Sequence, residues 1–146
     1  MKKILVLIIL VLLLPSMLFG CDADSDVDVE ITERYFMARM TDIMLNYHHY
    51  IGRTVRYEGV FDTLDYFGGM PLGFVFRRGP GCCGDDGFGG FMVLWEDGRS
   101  DFPENNDWVE IVGTFGVTEV GDFRLRSIYL KSLTVLDVRG ADFVWH

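Results

Sequence analysis

The sequence predicts a small, mainly β domain: an OB-like antiparallel β-barrel preceded by one amphipathic helix. Three observations carry this. From Arg53 onward, apolar residues alternate with polar ones in about five short runs separated by turn formers. Two of those runs, VRYEGVF (55–61) and VEIVGTF (109–115), share the pattern V-x-apolar-x-G-x-F, with a glycine on the face of the apolar residues. A glycine inside a strand weakens it unless the chain bends or another backbone approaches, so matching glycines point to a closed barrel rather than a flat sheet. Ahead of the alternation, residues 31–52 repeat at helical spacing. The competing architecture for the same pattern is a β-sandwich.

The first element is a leader. Lys2 and Lys3 precede an unbroken apolar run, Ile4 to Leu14, broken by Pro15 and Ser16. That order is a secretory signal, and the run is short for a membrane span. Leu18, Gly20 and Cys21 match a bacterial lipobox, while Phe19 departs from it because a small residue is usual there. Residues 1–20 are therefore read as a lipoprotein signal peptide, and Cys21 as the lipidation site. Several acyl chains on that cysteine, palmitate among them, would anchor the chain stably at the extracytoplasmic face of the cell membrane. Cleavage removes Lys2 and Lys3, leaving 11 basic against 22 acidic residues, a net charge of −11. A domain this acidic repels nucleic acid and attracts cations.

Residues 21–30 read as an acidic tether. The aspartates at 22, 24, 26 and 28 imitate the start of a calcium loop, but its glycine and distal glutamate are missing, so the stretch reads as a self-repelling spacer. Residues 31–146 form one domain. The helix 31–52 sets Phe36, Met40, Ile43 and Tyr47 on one face, with Met37 and Met44 beside them. Glu30 and Glu33 suit its positive end, and Gly52 stands where a left-handed cap is expected. His48 and His49, neighbours on a helix, point about 100° apart and read as a solvated last turn. Strands follow at 53–66, 72–78, 91–96, 107–117 and 123–138, the last as one long or two short pieces. GGMP (68–71) is a turn and EDGRSDFPENND (96–107) a polar connection. In the first strand Val55, Tyr57 and Phe61 face one way, with Arg56 and Glu58 opposite. The many aromatic residues let a small barrel bury enough surface without a disulfide network.

The stretch RRGPGCCGDDGFGG (77–90) fits neither period. Once Cys21 is lipidated, Cys82 and Cys83 are the remaining thiols. Adjacent cysteines close almost no loop, so a bridge between them would not serve as a staple. Neighbouring Cα atoms are only about 3.8 Å apart, closer than ordinary disulfide geometry wants, and a vicinal bridge would be strained and easily reduced. The other chemistry is metal binding. Two thiolates with Asp85 and Asp86 nearby suit a thiophilic ion, zinc or copper, and the flanking glycines allow close approach. Arg77 and Arg78 would favour the thiolates. The plain alternative is a glycine-rich hairpin tip.

The runs Y-I-G-R-T-V-R-Y-E-G-V-F, F-R-R-G-P-G-C-C-G-D-D and D-W-V-E-I-V-G-T-F resemble the C-terminal domain of the YcgQ-like family. Those are bacterial proteins of unassigned function found beside predicted permeases. Gly52, Val55, Gly59, Arg78, Cys82, Cys83, Asp86, Trp108, Val109 and Gly113 match the family pattern, over about residues 50–135. The resemblance implies an extracytoplasmic OB-like module concerned with metal homeostasis and partnered by a permease or another envelope protein. Two features depart from the family: a short lipoprotein start in place of transmembrane helices, and the ending RGADFVWH in place of a proline-rich tail.

The sequence thus reads as a binding module with no catalytic residues. It has no G-x-S-x-G, no H-E-x-x-H and three histidines, of which His146 is the last residue. The alternatives are a thiol redox protein using the vicinal pair and an envelope protein-interaction module. Nucleic acid is excluded as a partner by charge and by the leader.

Overall fold

In the computed structural model the described residues are 26–64, 72–81 and 84–145, with 84–86 described for the backbone alone. The signal peptide, Cys21 and the turn expected at 68–71 lie outside them. The elements in chain order are β1 (Val29–Ile31), α1 (Phe36–Leu45), β2 (Thr54–Leu64), β3 (Leu72–Gly81), β4 (Gly84–Trp95), β5 (Trp108–Val120) and β6 (Phe123–Val135). Hydrogen bonding runs β1-β2-β3-β4-β6-β5, and β5 returns to β2, so the five long strands form a closed, barrel-like ring. The OB-like expectation holds in that form. The antiparallel expectation is corrected at two places, because β1 runs parallel to β2 and β4 runs parallel to β6.

Closure depends on the two glycines common to β2 and β5. A Cβ on Gly59 would stand 2.8 Å from the Phe76 carbonyl oxygen, and one on Gly113 2.4 Å from that of Tyr129. Both strands change course there. β2 takes up pairing with β3 at Val60, and the β5–β6 register shifts between Val112 and Gly113. The odd positions of β2, Val55, Tyr57 and Phe61, point into the ring and are buried. A chain of edge-to-face rings crosses the core, from Phe36 to Tyr57, Phe91 and Phe115, with centroids 5.8, 6.3 and 5.2 Å apart. Each such pair adds about 0.5–1.5 kcal/mol beyond its area burial.

The helix is shorter than its periodicity suggests. Val29 and Ile31 are buried on either side of exposed Glu30, a strand pattern that takes the end of the tether into the sheet. A 3-10 turn at Glu33–Tyr35 follows, then α1, then a second 3-10 turn at Tyr47–His49. Asp42 draws the chain off the helix axis: it accepts from Asn46 Nδ2 at 2.8 Å and from the Tyr50 hydroxyl. Phe36, Met40 and Ile43 are buried as expected, whereas Met44 is exposed. Met37 packs beneath Gly79 and Gly89, where a Cβ would come within 2.8 and 3.1 Å of its sulfur. Gly52 adopts a left-handed φ of 83°. His48 and His49 are exposed in the second 3-10 turn. Among the described residues no helix is long and apolar enough to cross a membrane.

Candidate functional site

The edge of β2 is shared. Its first residues pair with β1 (Val29–Ile31 opposite Val55–Tyr57), and only Val60–Leu64 pair with β3, opposite Phe76–Leu72. From Arg77 onward β3 leaves β2 and continues against β4 as an arm: Arg77 opposite Gly89, Arg78 opposite Phe88, Gly79 opposite Gly87 and Gly81 opposite Gly84. The residues joining Gly81 to Gly84 are Cys82 and Cys83. Both lie outside the described residues, as does Cys21, and the side chains of Asp85 and Asp86 are outside them too. The backbone of Asp85 and Asp86 belongs to β4, directly after Gly84. The strands therefore begin and end much closer to the double cysteine than expected, with β3 running three residues and β4 seven residues further. Glycine on both sides of the ladder hid that extension from a propensity argument. Among the described residues no group of three or more His, Cys, Asp or Glu side chains is arranged to hold a metal. As a donor set, two thiols and two carboxylates within five consecutive positions fit a thiophilic divalent or monovalent ion.

The gap where β3 parts from β2 is filled by Arg77, only 2% exposed. Its Nε donates to the Glu58 carbonyl oxygen at 2.9 Å, a backbone acceptor left over by the departure of β3. Its Nη1 meets Glu33 Oε2 at 2.9 Å, and its Nη2 lies 3.7 Å from Glu58 Oε2. The guanidinium stacks on the rings of Phe36 and Trp108, at 5.1 and 4.6 Å from their centroids. Glu33, expected at a helix start, instead accepts from the Ala141 N–H and then from Arg77, and these bonds hold its carboxyl below the ordinary glutamate range. Of the two arginines expected to favour thiolates, Arg77 is thus committed to the core. Only Arg78 remains exposed on the arm's outer face. Arg77 was legible in principle, since it continues the inward parity of Gly73 and Val75.

The chain's last segment covers the arm's free edge. The Arg78 N–H donates to the Asp142 carbonyl at 2.8 Å, and the Val144 N–H donates back to the Arg78 carbonyl at 2.9 Å. Arg139 locks the turn before it through Asp142, at 2.7 Å, and that pairing lowers the Asp142 carboxyl below its ordinary range. On the far side of β1 a groove of about 450 Å³ is lined by Asp26, Thr54, Arg56, Glu110 and Lys131 among others. Its charges are paired within the protein: Arg56 with Glu110 at 2.9 Å, and Lys131 with Thr54 Oγ1 at 2.9 Å and Asp26 at 3.7 Å.

A closed ring of strands that extends β3 and β4 as an arm defines a small β module. The chain belongs to the family of the DUF1980 C-terminal domain, whose model matches residues 19–142. The match bears out the resemblance to the YcgQ-like C-terminal domain and extends it at both ends, from before Cys21 to the tail segment at Asp142. No curated protein matches the chain.

Proposed function

We propose that the chain is an extracytoplasmic binding module, anchored to the membrane through Cys21, that takes a thiophilic ion, zinc or copper, at the arm's turn and hands it to a membrane transporter. The observation that carries the reading is the departure of β3 from β2. The fold extends β3 and β4 beyond the ring, and the two residues joining them are Cys82 and Cys83. Asp85 and Asp86 follow within the same hairpin and supply hard donors. Gly81 and Gly84, which flank the pair, carry no side chain to crowd an ion or an acceptor protein approaching it. The acidic balance of the chain favours cations over anions around it.

The test is metal binding by the full chain, purified under reductant. The reading expects one zinc or cuprous ion per chain, measured by elemental analysis with thiol titration on the same sample, and loss of that ion in Cys82→Ser/Cys83→Ser. A double variant that binds either ion as tightly as the parent chain refutes it.

A further inference from the structure

We infer that the end of the barrel at which β2 begins lies against the bilayer surface, with Phe88 and Trp145 in the headgroup region and Arg78 reaching the phosphates. This rests on the lipid-anchor reading above. The register fixes what lies at that end. Val29 pairs with Val55, and Asp28 donates to the Thr54 carbonyl at 3.0 Å, so the chain enters the fold at the start of β2. Only five Cα steps separate Cys21 from Asp26, a reach of at most about 17 Å. A bilayer holding acyl chains on Cys21 is therefore within one strand length of this end.

β3 runs antiparallel to β2, so its residues beyond Arg77 project toward the same end. Arg78 faces Phe88 on β4 and pairs in parallel with Phe143 on the tail. Paired residues share a sheet face, so Phe88, Arg78 and Phe143 form one outward row across three neighbouring segments. Phe88 is 67% exposed and touches Phe76 edge-on at 6.2 Å; Trp145 is 69% exposed and meets Phe143 at 4.9 Å. The tail runs parallel to β3, which carries Trp145 further in the same direction. The β5–β6 hairpin also turns at this end, past Phe115, and presents Phe123, 58% exposed. Aromatic rings on separate protrusions around one end, beside the anchored terminus, suit a broad interface better than a pocketed partner. Trp and Phe favour the boundary of a bilayer, and an arginine beside them can keep its charge in the headgroups.

The full, acylated chain is reconstituted in phosphatidylcholine vesicles with and without bromine on the acyl chains, and tryptophan emission is compared with that of Trp145→Phe. The inference expects bromine quenching that Trp145→Phe removes and that Phe88→Trp restores in the Trp145→Phe background. Val135→Trp in that background should stay unquenched, because Val135 pairs with Val109 at the opposite end of the barrel. The inference is overturned if Trp145 is not quenched, if the Val135→Trp probe is quenched as strongly as the Phe88→Trp probe, or if Trp145 is shielded from both bromine and aqueous acrylamide, which would mean a protein surface covers it. Mass spectrometry of the same sample separates the failures: a chain without acyl groups on Cys21 refutes the anchor and this inference together, and an acylated chain with dry lipid contacts missing refutes only the inference.

Discussion

Tyr57→Phe removes one oxygen atom from inside the ring of strands and leaves the aromatic ring that packs there. In the native chain that hydroxyl donates to the Val75 carbonyl at 2.8 Å and accepts from the Phe91 N–H at 3.3 Å. Val75 and Phe91 face each other across β3 and β4, so the phenol stands between two backbone groups of one ladder pair. Burial pushes the Tyr57 ionisation far above the ordinary phenol value, and the group remains a neutral donor. With phenylalanine, one N–H and one C=O lose their partner where Val75 and Phe91 are buried. Each orphaned group costs about 1–3 kcal/mol, so the two together cost about 2 kcal/mol at the low end of that range and about 4 kcal/mol at its middle, with no packing volume lost besides. At about 4 °C per kcal/mol for a domain of this size, the melting temperature falls by about 8–16 °C. Urea unfolding followed by tryptophan fluorescence measures this directly, and the slope with denaturant should not change, since the exposed surface is the same. Hydrogen exchange should quicken at Phe91. A variant within about 0.5 kcal/mol of the parent would refute the reasoning, because it would mean that β3 and β4 close the ladder without the phenol.

Three further outcomes follow from the same structure. Arg77→Met keeps the aliphatic stem between Phe36 and Trp108 but strands the Glu58 carbonyl, and should cost about 2–3 kcal/mol in urea melts; Glu33→Gln, at a half-exposed position that can still accept from Arg77 and Ala141, should cost less than about 1 kcal/mol. Glu33, Asp42 and Asp142 all have carboxyl values lowered in the fold, so their contribution is complete above the ordinary carboxylate range and is lost as pH falls below about 4; urea midpoints should rise from pH 2 to pH 5, and a fall over that interval would contradict the assignments. Gly113→Ala brings a methyl group against the Tyr129 carbonyl at the β5–β6 irregularity and should cost about 3 kcal/mol, read as a lowered melting temperature.

The residues that read correctly in sequence are those for which one local rule acts alone. Val55, Tyr57 and Phe61 alternate, and their parity survives in the ring. Gly59 and Gly113 mark where strands change partners, because only a missing Cβ permits those approaches. The expectation splits β1 between the acidic tether, which takes Val29 and Glu30, and the helix start, which takes Ile31, although V-E-I is itself an alternating triplet. Strand formation there is decided by pairing with Val55–Tyr57, more than twenty residues away, which no local period reports. The same holds for Arg77. Its charge and its nearness to the cysteines suggest a partner for the thiolates, while its place on the inward parity is the better guide to its burial. The partners that make burial tolerable, Glu33 and the Glu58 carbonyl, come from the 3-10 turn before α1 and from β2. At the double cysteine the sequence offered the donor types, and the backbone added only that two strands lead up to them.

The tail bonded to Arg78 also has a practical bearing on how this protein can be handled. An open strand edge invites pairing with another chain, and here the main-chain groups of Arg78 are occupied by Asp142 and Val144, within four residues of the terminus. A tag, fusion or shortened end placed at His146 therefore acts on a seam of the fold rather than on a spare end.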